Sequence, residues 1–383
     1  MEMIELLEII SRDEDGRHQF KADFRNVDSL AAEMVAFSNS GGGQILIGIT
    51  DSGQASGLTR DDMGRINQLI SNAASQSVRP PINPQTENVA LPEGLVMIAT
   101  ILPGISKPYM DNSGAIWVKS GADKRKVTYR EEMQHMYQSA GLIHGDEVPA
   151  NGMTLADLDM DYFRDFLEKK FGDSLETQEV PLPSMLENMN LMKDGVLNVT
   201  GALLFGKKLE FKLPVFGVKC VCYPGNDIHA SEYRDSEDIS GKIEDIFNRS
   251  LSFITGNIRR VQDDQNVSSL EKLEIPKVSL EELLANAIVH RDYFVPAPIR
   301  IFIFDDRIEI VSPGHLPNNL TIENIKNGNS NIRNPILTSF ATNILPYRGL
   351  GNGVRRALKE YSAIDFEDDR DGNMFKSVIR RRK

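Results

Sequence analysis

The chain has 383 residues, 40% hydrophobic and 26% charged, with 43 basic against 55 acidic side chains and a formal net charge of −12. That length exceeds one comfortable core and calls for two or three domains, and the composition is that of an ordinary globular protein rather than a disordered one. The acidic balance excludes non-specific nucleic-acid binding by the whole surface while leaving room for a local basic patch. No apolar run reaches the roughly 18 residues of a membrane span, and Met1-Glu2-Met3-Ile4-Glu5 is acidic where a secretory signal is basic. Cys220 and Cys222 alternate in a strand-like run and share one face as small apolar residues. The expectation is a reduced, cytoplasmic protein that does not enter a membrane.

In chain order, residues 1–142 read as an α/β domain. A helix is expected over 27–38, with Leu30, Met34, Val35 and Phe37 apolar and Asn26 or Asp28 as its cap. It stops at Gly41-Gly42-Gly43, and a buried strand over 44–50 follows, turning at Asp51-Ser52-Gly53. A second helix over 61–75 is closed by Pro80, Pro81 and Pro84. Strands over 95–102 and 115–119 lead to a helix over 128–139, with Thr128 and Glu131 at capping-box spacing. The triple glycine follows a helix C-terminus, the reverse of the strand–loop–helix polarity of a phosphate loop, so a P-loop is excluded. Lys119, Lys124, Arg125 and Lys126 cluster in one segment, and Arg380-Arg381-Arg382-Lys383 end the chain. Phosphate contacts or a solvated loop and tail both fit them.

Gly, Pro and Asn mark 141–151 as a linker. Residues 152–270 read as an α/β scaffold with helices over 159–171, 185–192 and 239–258 and a strand over 215–223, without a catalytic constellation. Residues 271–383 carry more. A helix over 281–293 has Leu283, Leu284, Ala287 and Ile288 on one stripe, while Glu282 and Asn286 project from one face a turn apart. Such a carboxylate and amide can hold a hydrated divalent cation, and a solvated helix face fits them too. Strands over 299–304 and 307–311 form a hairpin, Ser312 to Pro317 is a turn, and Arg348-Gly349-Leu350-Gly351-Asn352-Gly353 opens a helix with the polarity of an anion site. His290-Arg291-Asp292-Tyr293 reads as a polar helix end in which Asp292 pairs with a neighbouring arginine.

The run Gln19-Phe20-Lys21, the helix end Ala36-Phe37-Ser38-Asn39, the stretch from Gly41 to Asp51 and Trp117-Val118-Lys119-Ser120-Gly121 together resemble the Schlafen/AlbA-like domain. The resemblance covers about the first 140 residues and implies nucleic-acid binding, DNA before RNA, through Lys21, Lys119, Lys124, Arg125 and Lys126. In mammalian Schlafens two acidic residues five apart and an aspartate after the glycine-rich strand form a metal-dependent nuclease site. The matching positions are Glu14, Gln19 and Asp51. Gln19 is the departure, because a neutral amide adds no charge to hold a divalent cation. Glu14 and Asp51 remain the metal candidates.

The order of the Glu282/Asn286 helix, the hairpin, the Pro-Gly turn and the glycine-rich helix start resembles the C-terminal region of RecG-like bacterial regulators. That region is related to the gyrase/Hsp90/histidine-kinase (GHKL) ATPase fold, a two-layer α/β sandwich that binds ATP and Mg²⁺. The resemblance implies that Glu282 activates water, Asn286 holds the magnesium ion, and Gly349, Gly351 and Gly353 cover the phosphates beside Arg348. Gly314 is what remains of an Asp-x-Gly-x-Gly motif, and Ser312 stands where its adenine-reading aspartate belongs. The sequence thus describes an α/β (α+β) transcriptional regulator in three parts, 1–142, 152–270 and 271–383, expected as a homo-oligomer with a nucleotide module better at binding than at hydrolysis. A Schlafen-type nuclease and a nucleotide-sensing assembly protein that touches no nucleic acid are the alternatives.

Overall fold

The computed structural model describes residues 2–172, 180–262, 271–317 and 320–381. The chain separates into two units, Met1–Leu142 and Ile143–Lys383. In the first, strands β1 (His18–Lys21), β2 (Gly43–Ile47), β3 (Gln85–Leu91) and β4 (Gly94–Ile101) form a sheet of order β1-β2-β4-β3. β1 runs parallel to β2 and the other pairs are antiparallel. Ile45, Leu46 and Ile47 are all fully buried, because both faces of β2 are covered. Ile45 and Ile47 pack with Leu30 and Met34 of helix α2 (Val27–Asn39), and Leu46 packs with Leu6 of helix α1 (Met3–Ile10). Double burial is what makes this strand a continuous apolar run in sequence.

Asn26 caps α2, its side chain accepting from Asp28 N at 2.8 Å and Ser29 N at 3.2 Å. At the other end a Cβ on Gly43 would lie 2.2 Å from the Phe37 ring and 2.6 Å from Arg17 O, so only glycine lets the sheet approach the end of the helix. Helix α3 (Arg60–Asn72) carries a Thr59–Asp62 capping box. Strands β5 (Trp117–Ser120) and β6 (Asp123–Lys126) form a separate hairpin. Helix α4 (Arg130–Ser139) begins after Tyr129 with no side-chain cap, so the expected Thr128–Glu131 box does not form.

In the second unit, strands β7 (Val218–Cys222), β8 (Asp235–Ile239), β9 (Ile299–Ile303), β10 (Arg307–Pro313), β11 (Ile364–Asp369) and β12 (Met374–Arg380) form one sheet, ordered β8-β7-β9-β10-β12-β11. Only the β7–β9 pair is parallel. Helices α7 (Ile243–Gly256) and α8 (Lys277–Val289) pack against this sheet, completing a two-layer α/β sandwich. β7 and α7 come from 152–270 and β9 to β12 from 271–383, so those two stretches share a single sheet and core. Cys220 and Cys222 are free and buried on the core side, where burial pushes the Cys220 thiol up to about 12. No helix among the described residues is long and apolar enough to cross a membrane.

Residues 141–151, expected as a linker, include the fully buried Asp146. Its carboxylate accepts from Leu337 N at 2.9 Å and so caps helix α9 (Pro335–Ile344), whose own N-cap Asn334 makes no side-chain cap bond. The second carboxylate oxygen has no partner among the described residues, and burial raises the Asp146 pKa to about 6. The folded state therefore holds this proton at a pH where the unfolded chain has released it. The contribution is most favourable below the unfolded pKa of 3.8 and is lost as pH rises through about 6. Asp146→Asn is expected to raise stability above pH 7 by on the order of 2–3 kcal/mol. In urea melts of the two proteins the gain should vanish below about pH 4.

Candidate functional site: a polar cluster in the first unit and a glycine-rimmed cleft in the second

In the first unit β1 brings Gln19 and Lys21 beside Glu14. The Glu14 carboxylate accepts from the Gln19 amide nitrogen at 2.5 Å and from Phe20 N at 2.6 Å. Lys21 Nζ stands between the two metal candidates, 3.8 Å from Glu14 and 3.2 Å from Asp51. The Gln19 amide oxygen, the atom able to ligate a metal, accepts instead from Lys119 Nζ at 2.8 Å. Glu14, Gln19 and Asp51 do come together, but around an ammonium group. Among the described residues no three His, Cys, Asp or Glu side chains are grouped to hold a metal ion. The donor set does not fit a divalent cation, and no hydrolytic step is assigned to it.

The basic segment is largely spent within the fold. Lys119 has a side chain only 4% exposed, 4.0 Å from the buried Glu33 carboxylate and over the Phe37 ring. Burial lowers its pKa. Lys124 pairs with Glu33 at 2.6 Å, and Arg125 forms a two-pronged pair with Glu132 at 2.7 and 2.8 Å. Lys126 is exposed and has no ion-pair partner among the described residues. At the chain end Arg380 pairs with Asp365 at 3.2 Å and the buried Arg381 with Glu274 at 2.7 Å, while Arg382 and Lys383 lie outside the described residues. Glu33, which organises these lysines, was hidden in the sequence by an apolar helix that gives no sign of a buried acid.

The second unit builds its site from three separated segments. Helix α8 buries Leu280, Leu283, Leu284, Ala285, Ile288 and Val289 in the core and presents Glu282 and Asn286 to a cleft. β10 brings in Ser312, and the turn after it brings Gly314. The loop before helix α10 (Gly353–Glu360) supplies Arg348, Gly349, Gly351 and Gly353, so all the residues expected at a nucleotide site line one cleft. Gly349 and Gly351 have φ of +66° and +70°. A Cβ on Gly353 would lie 2.4 Å from Glu282 Oε2 and 3.3 Å from Asn286 Nδ2, so the loop closes onto α8 only because that position is bare.

Two features set the chemistry. Glu282, 3% exposed, is ion-paired to Arg356 of α10, so the carboxylate expected to activate water is already neutralised. The Asn286 amide nitrogen is buried with no hydrogen-bond partner among the described residues. Ser312 donates its hydroxyl to Ala287 O at 3.0 Å. The nucleotide-type donor set fits: bare glycines, the start of a helix and an unsatisfied amide face one cleft.

Sequence reasoning missed the walls of this cleft. Arg333 is 8% exposed and lines it, donating to His290 O and His315 O. His290 Nε2 meets the Tyr347 hydroxyl at 2.9 Å, and burial pushes the His290 pKa down to about 4, leaving the ring neutral at pH 7. The expected polar helix end is a buried one. α8 stops at Val289, Arg291 is 1% exposed with its guanidinium 5.0 Å over the Phe216 and Tyr293 rings, and Asp292 accepts from Phe294 N at 2.9 Å. Asp292 makes no ion pair among the described residues. A run of four polar residues after an apolar helix looks the same in sequence whether solvated or buried.

The chain has an α/β unit with a mixed four-stranded sheet, then a two-layer sandwich with a glycine-rimmed cleft. Comparison with known proteins bears on its domains. The Schlafen, AlbA_2 family model matches residues 14–128, and the family described as "Putative ATP-dependent DNA helicase recG C-terminal" matches residues 297–370. The chain thus carries a Schlafen/AlbA_2 domain at its N-terminus and a RecG C-terminal, HATPase_c_4-type domain near its end. Among solved structures it is similar to the DIP2311 protein from Corynebacterium diphtheriae, at 20% identity over 99% of this chain and 80% of that one, with a TM-score of 0.47. It is also similar to the N-terminal domain of a RecG-related protein from Nitrosomonas europaea, at 19% identity over 34% of this chain and 96% of that one, with a TM-score of 0.26. No curated protein matches.

Lys119→Met is expected to destabilise the first unit by about 3 kcal/mol, because it removes one partner of a buried charged cluster. Lys126→Ala should stay within about 0.5 kcal/mol of the parent in the same denaturant titration.

Proposed function

We propose that the chain is a nucleic-acid-binding transcriptional regulator whose C-terminal cleft holds a nucleotide, with Mg²⁺, without turning it over. The observation that carries this reading is the convergence of Glu282, Asn286, Ser312 and the Gly349–Gly353 loop on one cleft in which Glu282 is held by Arg356. Asn286 would contact the ion or the phosphates, and the bare backbone at Gly351 and Gly353, with Arg348, would face the phosphate oxygens. A bound Mg²⁺ would offset phosphate charge. Glu282, tied to a guanidinium, is a weak base for activating water. ATP is the nucleotide that the domain type suggests.

Nucleic-acid contact is supported by the two family matches and falls to the β5–β6 hairpin, where Lys126 is exposed and outside any ion pair among the described residues, beside the paired Lys124 and Arg125. The nuclease alternative is disfavoured by the ammonium of Lys21 between Glu14 and Asp51.

Mg²⁺–nucleotide at 100 times its dissociation constant should stabilise the protein by about 2.7 kcal/mol, read as a thermal shift. Asn286→Ala should abolish that shift at little cost to the fold, since the lost Nδ2 has no partner among the described residues. No phosphate release above a protein-free control is expected. The absence of any shift with nucleoside di- or triphosphates would sink the nucleotide reading. Filter binding of duplex DNA should weaken with a log–log salt slope of about −0.9 for each hairpin cation that meets a phosphate, Lys126 first. No retention at low salt would remove the nucleic-acid reading.

A further inference from the structure

Left-handed backbone in this chain falls mostly where it costs little. Among the described residues five non-glycines have a positive φ, and four of them are Asp13, Asn190, Asp194 and Asn373, residue types whose short polar side chains tolerate that conformation. The fifth is Lys208, at φ +53° and ψ +40°. A lysine gains no local hydrogen bond there, and glycine would hold the same backbone without strain. Strain of this kind persists only where the surroundings enforce it, and it gathers at sites where the side chain has a task.

The surroundings of Lys208 do enforce it. Lys208 opens a one-turn helix, Leu209–Lys212, in which Phe211 N and Lys212 N both donate to Lys208 O, at 3.1 and 3.2 Å. Leu209 is buried in the core of the second unit. Lys212 Nζ donates to Gly152 O at 2.8 Å and lies 3.4 Å from Asp157, while Lys207 N donates to Asp157 O at 2.8 Å. The turn is fastened on both sides, and what it holds out is Phe211, 79% exposed. Lys207 and Lys208 are exposed beside it and make no ion pair among the described residues. Residues 207–212 carry three lysines and one acid, Glu210, in a chain of formal charge −12.

A flat, unshielded ring flanked by ammonium groups fits an anionic partner that carries flat groups of its own. Every nucleobase has a face to stack, and its phosphates supply the counter-charge. Inside a duplex those faces are taken by neighbouring base pairs, so the fit is to a single strand. A lipid surface asks for a broader apolar face than one ring. We infer that the turn 207–212 is a contact site for single-stranded nucleic acid, with an unpaired base stacked on Phe211 and the adjoining phosphates against Lys207 and Lys208. The inference rests on the reading that the chain binds nucleic acid, and it adds a second contact, outside the β5–β6 hairpin, that takes single strands.

Fluorescence anisotropy of the full chain tests this with a labelled oligo(dT), its duplex with oligo(dA), and a strand of the same length made of abasic sites. Phe211→Ala should weaken oligo(dT) binding about tenfold, the loss of one base–aromatic stack, and leave duplex binding unchanged. Phe211→Trp should stay within about threefold of the parent. On the abasic strand, which keeps the phosphates and lacks the bases, the parent and Phe211→Ala should bind alike. Lys208→Gly should lower the log–log salt slope of oligo(dT) binding by about 0.7, one phosphate contact, while its urea midpoint falls no lower than the parent's because the left-handed strain is gone. Oligo(dT) affinity unchanged in Phe211→Ala, or a parent that retains the duplex alone, overturns the inference and leaves the nucleic-acid reading standing. Binding of phosphatidylserine vesicles without binding of oligo(dT) overturns it in favour of a lipid surface. No binding of any nucleic acid at low salt removes the nucleic-acid reading itself, and this contact with it.

Discussion

Helix α8 has to satisfy two environments at once, and the second unit is organised by that demand. Six of its side chains go into the core, the five Leu, Ile and Val among them each worth roughly 1.5–3 kcal/mol of burial, which pins the helix against the sheet. The remaining stripe must carry Glu282 and Asn286 into a cleft where water is scarce. A carboxylate that buried requires a partner, and Arg356 is that partner. The ion pair joins α8 to α10 and so fixes where the glycine loop lies over the cleft. The same contact that makes the loop geometry possible removes the free carboxylate that hydrolysis would need. Structure and chemistry are coupled through one guanidinium.

The polar groups beyond the end of α8 extend this logic. Asn334 donates to the carbonyls of Val289 and Arg291 at 2.8 and 2.9 Å, Arg333 to those of His290 and His315, and Tyr293 to that of Ile288 at 3.0 Å. The carbonyls of Ile288 and Val289 are among those a helix leaves open at its C-terminus, and those of His290 and Arg291 follow directly in the chain. Buried, they need side-chain donors, and the segment before α9 supplies them. Asp146 accepts from Leu337 N at the start of α9, next to these donors, so the end of α8 and the start of α9 are tied by side-chain-to-backbone bonds as well as by apolar contact.

Much of this was legible in the chain. Continuous apolar runs announced β2 and the β9–β10 hairpin, Asn26 or Asp28 announced the start of α2, and the resemblance to a RecG-like C-terminal region, rather than spacing, brought Glu282, Asn286 and the glycines to one site. What escaped notice had no local signature. β3, Gln-Thr-Glu-Asn-Val-Ala-Leu, is an edge strand with only Val89 and Leu91 buried, and β6 is four charged residues in a row; pairing with a neighbour, not propensity, makes them strands. Arg333, Arg356, Glu33 and Asp146 matter because of partners tens to hundreds of residues away. Nor could spacing reveal that β7 joins β9 in one sheet, since a parallel pair separated by a long crossover leaves no mark between its strands.

The strands at the two edges of the six-stranded sheet, Asp-Ser-Glu-Asp-Ile in β8 and Ile-Asp-Phe-Glu-Asp-Asp in β11, are dense in acid. Several of these carboxylates lean inward onto cations of the strand or helix beside them, as Asp238 does on Lys219, Glu237 on Arg249 and Glu367 on Lys376. An incoming strand from a second copy would bring the same charge against the same charge, so the open backbone of each edge is guarded by repulsion. Both edges of this six-stranded sheet are thereby guarded against pairing with the same edge of a second copy.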